Sequence, residues 1–123
     1  MAALFGIMLG GALGASVRFS VAGLWLKDYS SDFPWGTLVV NLMGSFIFGV
    51  VYSWYQYRSA EGLLSMALLV GFCGALTTFS SFAFDCLRLI ERGATLMGVA
   101  YISLSVLGSI FALYAGARLI QFS

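Results

Sequence analysis

The sequence predicts an all-α membrane protein with four transmembrane helices in a single domain, 1–123, and three observations predict it. Of the 123 residues, 61% are hydrophobic and only 9% charged, with a mean hydropathy of +0.98, well outside the composition of a soluble domain. Apolar residues fall into four runs, 2–26, 35–57, 63–90 and 94–121, each long enough for the ~20 residues a helix needs to cross hydrocarbon. The polar stretches between the runs are too short to hold a soluble unit.

Composition also excludes function classes. The absence of histidine rules out bis-histidine haem ligation, ordinary histidine-based zinc sites and histidine proton relays. The net charge is only +1 and the basic residues are scattered, which argues against nucleic acid as a partner. Cys73 and Cys86 both fall in the third apolar run, where free thiols are expected. No Ser-His pair, metal-ligand spacing, carboxylate pair at membrane depth or phosphate loop is present, so no enzyme is indicated.

The first run starts without a basic segment and has no cleavage boundary, so it reads as a retained span. Gly6, Gly10 and Gly14 recur every fourth residue and Arg18 extends the register, forming one stripe suited to close helix contact. Arg18 has two readings. It either snorkels towards the Lys27 end or faces a functional partner, because an unpaired guanidinium in hydrocarbon costs several kcal/mol.

Lys27 to Pro34 forms a short polar connection, and Trp35 anchors the second run at the interface. Tyr52, Trp54, Tyr55 and Tyr57 supply the opposite aromatic belt. Between them Asn41, Ser45 and Phe48 share one face, flanked by Gly44 and Gly49. Asn41 is read either as an interhelical hydrogen bond or as a donor lining a pathway. Arg58 to Gly62 is the second connection.

The third run contains Gly71-Phe72-Cys73-Gly74-Ala75-Leu76-Thr77-Thr78-Phe79-Ser80-Ser81-Phe82, the wrong composition for a simple span. Two glycines and four hydroxyls at membrane depth predict a helix broken mid-membrane near Gly74 to Thr78, with carbonyls freed for side chains or a cation. Phe79 and Phe82, three apart, point to nearly the same side and offer positive ring edges to an anion; core packing is the plainer alternative. Towards the run's end Asp85, Arg88 and Glu91 stand at intervals of three, predicting a self-neutralised helix end. In the fourth run Gly98, Tyr101, Ser105, Gly108, Ser109, Ala112 and Gly116 line one side. Val99, Ile102, Val106, Ile110 and Leu113 form a neighbouring side suited to lipid.

Four spans place both termini on one side, with Arg58 and Arg118 there and Lys27 and Arg92 opposite. This balance gives little orientation preference and predicts dual topology with antiparallel pairing. Reporters fused to the C-terminus should then appear on both sides of the membrane; localisation to one side alone would contradict it.

These residues resemble a known family. Gly10-Gly11-Ala12-Leu13-Gly14-Ala15 leading to Arg18, Gly36-Thr37-Leu38 with Asn41 and Gly44-Ser45, and Gly71-Phe72-Cys73-Gly74 with Thr77-Thr78-Phe79-Ser80-Ser81-Phe82 are similar to the small bacterial fluoride channels of the Fluc type, across all four spans. Ala75 departs from a more usual glycine and Ser81 from a common threonine. The resemblance implies an antiparallel homodimer in the bacterial inner membrane, with two fluoride pores and a structural sodium ion at the interface. It implies that the backbone carbonyls of Gly74 and Thr77 hold the sodium. It further implies that Asn41, Phe79, Ser80, Ser81, Phe82, Tyr101 and Ser105 lie on the fluoride pathway, with Arg18 at a vestibule. The expected function is passive, potential-driven fluoride export that lowers cytoplasmic fluoride. The rival readings are a proton-coupled small-molecule transporter of dual topology and a non-transporting assembly subunit.

Overall fold

The computed structural model describes residues 1–26, 32–58 and 62–121. Its helices are α1 (Ala2–Leu26), α2 (Trp35–Arg58), α3 (63–76), α4 (Phe79–Glu91) and α5 (Thr95–Gln121). They make four runs long and apolar enough to cross a membrane, α3 and α4 together forming the third. The protein is therefore an all-helical, multi-pass membrane protein. Of the predicted connections, Lys27 and Asp28 in the first and residues 59–61 in the second lie outside the described residues.

Local chemistry sets the helix ends. Pro34 stands just before α2, where a missing N–H costs nothing, and its carbonyl accepts from Leu38 N–H at 3.3 Å. At the end of α4, Gly93 takes φ of 71°, a conformation open to glycine. Gly93 N–H then donates to the Ile90 carbonyl at 3.0 Å and Ala94 N–H to the Leu89 carbonyl at 2.9 Å, closing a Schellman motif that turns the chain into α5.

The helix α3 is not uniform. A turn at Leu63–Met66 is followed by a π-helical stretch, Ala67–Cys73, and a last α-turn, Gly74–Leu76. Gly74 N–H reaches the Leu69 carbonyl, five residues back. This stretch lies where α1 comes closest. Gly10 faces the Ala67 carbonyl and Phe72 amide, Gly14 faces the Phe72 carbonyl, and Gly71 faces the Ile7 carbonyl. The stripe on α1 is thus a backbone-to-backbone contact with α3.

The same device joins α2 to α5. Gly49 rests on the Leu113 carbonyl and Gly116 on the Phe46 carbonyl. The side of α5 carrying Gly98, Tyr101, Ser105 and Gly116 is buried, whereas Val99, Ile102, Val106, Ile110 and Leu113 are exposed on the protomer. A small core of Leu38, Leu89 and Tyr101, with Phe82 and Met97 against it, binds α2, α4 and α5 at one end.

One expected arrangement is corrected. Asp85 does not pair with Arg88; it accepts a hydrogen bond from the Tyr101 hydroxyl at 3.1 Å. Arg88 instead lies 6.0 Å from the centre of the Phe84 ring, and Arg92 forms an ion pair with Asp32 at 3.3 Å. A neighbouring helix supplies Asp85 with a buried donor, which an exposed i,i+3 cation cannot match in a setting short of water.

Candidate functional site

The chain leaves helical geometry after Leu76. Thr77 (φ −79°, ψ 154°) and Thr78 (φ −149°, ψ 117°) are extended, and α4 starts at Phe79. Thr78 is its N-cap, with Oγ1 accepting from Ser81 N–H at 3.2 Å. The same oxygen donates to Ser81 Oγ at 3.1 Å and lies 3.3 Å from Ser80 Oγ. Thr77 Oγ1 donates back to the Cys73 carbonyl at 3.0 Å, which turns its methyl towards α2. Gly44 leaves room for that methyl: a Cβ at position 44 would collide with Thr77 Cγ2.

One helical turn from Gly44, Asn41 reaches the extended pair. Its Oδ1 accepts from Thr78 N–H at 2.7 Å and its Nδ2 donates to the Thr78 carbonyl at 3.2 Å. A backbone N–H only donates, so the amide orientation is fixed. In an unbroken helix the Gly74 carbonyl would take the Thr78 amide and the Thr77 carbonyl the Ser81 amide. Asn41 and Thr78 Oγ1 hold those two amides instead, so both carbonyls lose their helical partners.

Beside this pair lies a groove of about 300 Å³ lined by Asn41, Ser45, Thr77, Thr78, Phe79, Phe82, Ser105, Val106 and Ser109. Every lining side chain is uncharged. The Ser105 hydroxyl is buried with no hydrogen-bond partner among the described residues. Phe79 and Phe82 stand 5.5 Å apart with planes at 45°, and Phe82 continues to Tyr101 at 5.4 Å. Phe79 is 80% exposed on the protomer.

The expected site residues therefore separate. Asn41, Thr77, Phe79, Phe82 and Ser105 meet at the groove. Ser80 and Ser81 bond to the Thr78 hydroxyl instead of lining it. Tyr101 is fully buried behind Phe82, and Gly74 is exposed on the protomer. Arg18 is half-buried on α1, away from the groove. Ser45 and Ser109 are groove residues whose helix faces the spacing identifies without singling them out. Thr78 has the weakest signal, because its role as cap depends on where the helix restarts.

The fold and groove can be compared with known proteins. Residues 5–117 match the family described as "CrcB-like protein, Camphor Resistance (CrcB)". The chain belongs to the CrcB family. Among its CrcB relatives is a "Fluoride-specific ion channel FluC" of Xylella fastidiosa (strain 9a5c), 40% identical over 114 residues covering 92% of this chain and 80% of the relative. Another of the same name, from Hahella chejuensis (strain KCTC 2396), is 42% identical over 116 residues, covering 92% of this chain and 90% of its own length. The one from Rhizobium meliloti (strain 1021) is 41% identical over 114 residues, covering 91% and 90% respectively.

Proposed function

We infer that this CrcB chain is a fluoride-specific ion channel, as its relatives are named. The observation that carries the reading to residues is the groove, whose wall combines amide, hydroxyl and aromatic groups without a formal charge. Fluoride is small and strongly hydrated, so a selective path must replace its water with donors. Neutral donors and ring edges do so while binding weakly enough for the ion to leave. Asn41, Phe79, Phe82 and Ser105 are the groups we assign to the path, with Ser80, Ser81 and Tyr101 supporting it and Arg18, away from the groove, raising local anion concentration in a vestibule.

Flow is passive. An inside-negative potential and trapping of hydrogen fluoride as fluoride in the cytoplasm drive export, and the membrane we assign to the protein on this reading is the bacterial inner membrane. The working unit we propose is an antiparallel homodimer of dual topology, supported by the balanced loop charges and by the exposure of Phe79 and Gly74 on the protomer. The Thr77–Thr78 pause is then a mid-membrane break in the third span. Sodium suits it: the Gly74 and Thr77 carbonyls without helical partners are hard oxygen donors, and a monovalent cation shared between two copies would satisfy them. Its contribution is electrostatic, holding the break and the interface together.

Liposomes containing the purified protein should lose fluoride rapidly once potassium and valinomycin set a potential, with no proton gradient imposed. Loss no faster than from empty liposomes would refute the channel, and loss that required a proton gradient would favour the proton-coupled transporter. Replacing sodium with N-methylglucamine should lower the melting temperature of the dimer; identical melting would remove sodium from the reading.

A further inference from the structure

The pause between α3 and α4 has an identifiable cause outside its own span. Thr77 and Thr78 are neither glycine nor proline, and threonine is an ordinary helix residue, if a modest one. Nothing in their own chemistry prevents the Thr78 amide from closing onto the Gly74 carbonyl, which would continue the helix. In a setting with little water an amide drawn away from that bond needs another acceptor. Asn41 provides one, and it occupies the Thr78 carbonyl as well.

We propose that Asn41 is a positioning residue: by holding both main-chain groups of Thr78 from α2, it keeps 77–78 extended and thereby leaves the Gly74 carbonyl open. This rests on the channel reading only for its consequence, since the geometry stands whatever ion passes. Two further features of the same turn fit the role. Gly44, three residues on, makes the space that the extended Thr77 fills. Thr78 Oγ1 caps α4 only because its backbone is extended, so the restart of the helix depends on the same hold. Asn41 therefore links the groove wall to the carbonyls assigned to sodium.

The sequence makes a direct test available. It contains four threonines, Thr37, Thr77, Thr78 and Thr95, and Asn41 is its sole asparagine. Full-length protein labelled with 13C,15N-threonine and 15N-asparagine in lipid gives four threonine signals by solid-state NMR, with Thr37 and Thr95 as helical references. Wild type should show Thr77 and Thr78 at extended Cα and Cβ shifts and a through-space contact between Asn41 Nδ2 and the Thr78 carbonyl carbon. In Asn41→Ala, Thr78 should move to the helical side of the scale. Asn41→Asp keeps an acceptor oxygen for the Thr78 amide and should retain the extended shifts.

Extended shifts in Asn41→Ala, or no Asn41–Thr78 contact in wild type, would overturn the proposal. So would helical shifts in Asn41→Asp. If the alanine variant does not fold, the wild-type contact and the aspartate shifts still decide. The sodium reading fails separately: adding sodium should move the wild-type Thr77 carbonyl signal, and an unmoved signal refutes sodium while leaving the positioning role of Asn41 intact.

Discussion

Replacing Phe82 or Phe79 with isoleucine is expected to lower fluoride efflux about fivefold or more, because each ring edge is assigned roughly 1 kcal/mol or more of anion contact and each 1.4 kcal/mol is a factor of ten. Isoleucine keeps an apolar side chain of moderate bulk and removes the quadrupole. The two positions differ in what else they disturb. Phe79 is 80% exposed on the protomer and touches Phe82 as its ring partner, so Phe79→Ile disturbs the protomer's packing little beyond that contact, and a lower flux there reports on the path or the partner copy. Phe82 packs on Tyr101 at 5.4 Å, so Phe82→Ile also loosens the core near Asp85. Efflux from liposomes should be read beside melting temperature and dimer content. Unchanged efflux in both variants would remove the aromatic rings from the pathway.

Some of this was legible in the sequence because it depends on period alone. The Gly6, Gly10, Gly14 stripe and the two sides of α5 follow from helical geometry, and the structure places the small residues inwards and Val99, Ile102 and Ile110 outwards. Asn41 was legible as a polar group in an apolar run and Phe79 and Phe82 as a pair at helical spacing, whereas the pathway role of Ser105 rested on the family resemblance. What spacing cannot express is a contact between elements. Asp85 reads as the partner of Arg88 within its own helix, yet the Tyr101 hydroxyl, 16 residues away on α5, takes it. The π-helical stretch Ala67–Cys73 is invisible for a related reason: one hydrogen bond shifted by a residue changes the helix without changing which residues are apolar. Thr78 is missed because its capping role exists only once Asn41 has bent the chain to receive it.

The largest effect on folding is expected at Gly14. An added Cβ would overlap the Phe72 carbonyl oxygen and stand 3.0 Å from its carbon and 3.1 Å from the Leu76 amide nitrogen. These are backbone atoms, which cannot rotate aside as a side chain does. α1 would have to lift from α3, and overpacking of this kind costs about 1–3 kcal/mol, occasionally more. Against a total stability of roughly 5–15 kcal/mol, Gly14→Ala should lower the melting temperature clearly and Gly14→Val should leave little folded protein. Gly23 provides the control on the same helix: among the described residues nothing lies within 4 Å of a Cβ there, so Gly23→Ala should be neutral or stabilising by about 0.5–1 kcal/mol through helix propensity. If Gly14→Ala melted with Gly23→Ala, the close approach of α1 and α3 would be wrong. The contact at Gly14 also bears on transport, because Leu76 immediately precedes Thr77. A helix pushed away there shifts the start of the extended pair, so Gly14→Ala protein that still folds should carry less fluoride than Gly23→Ala, even though neither residue lines the groove.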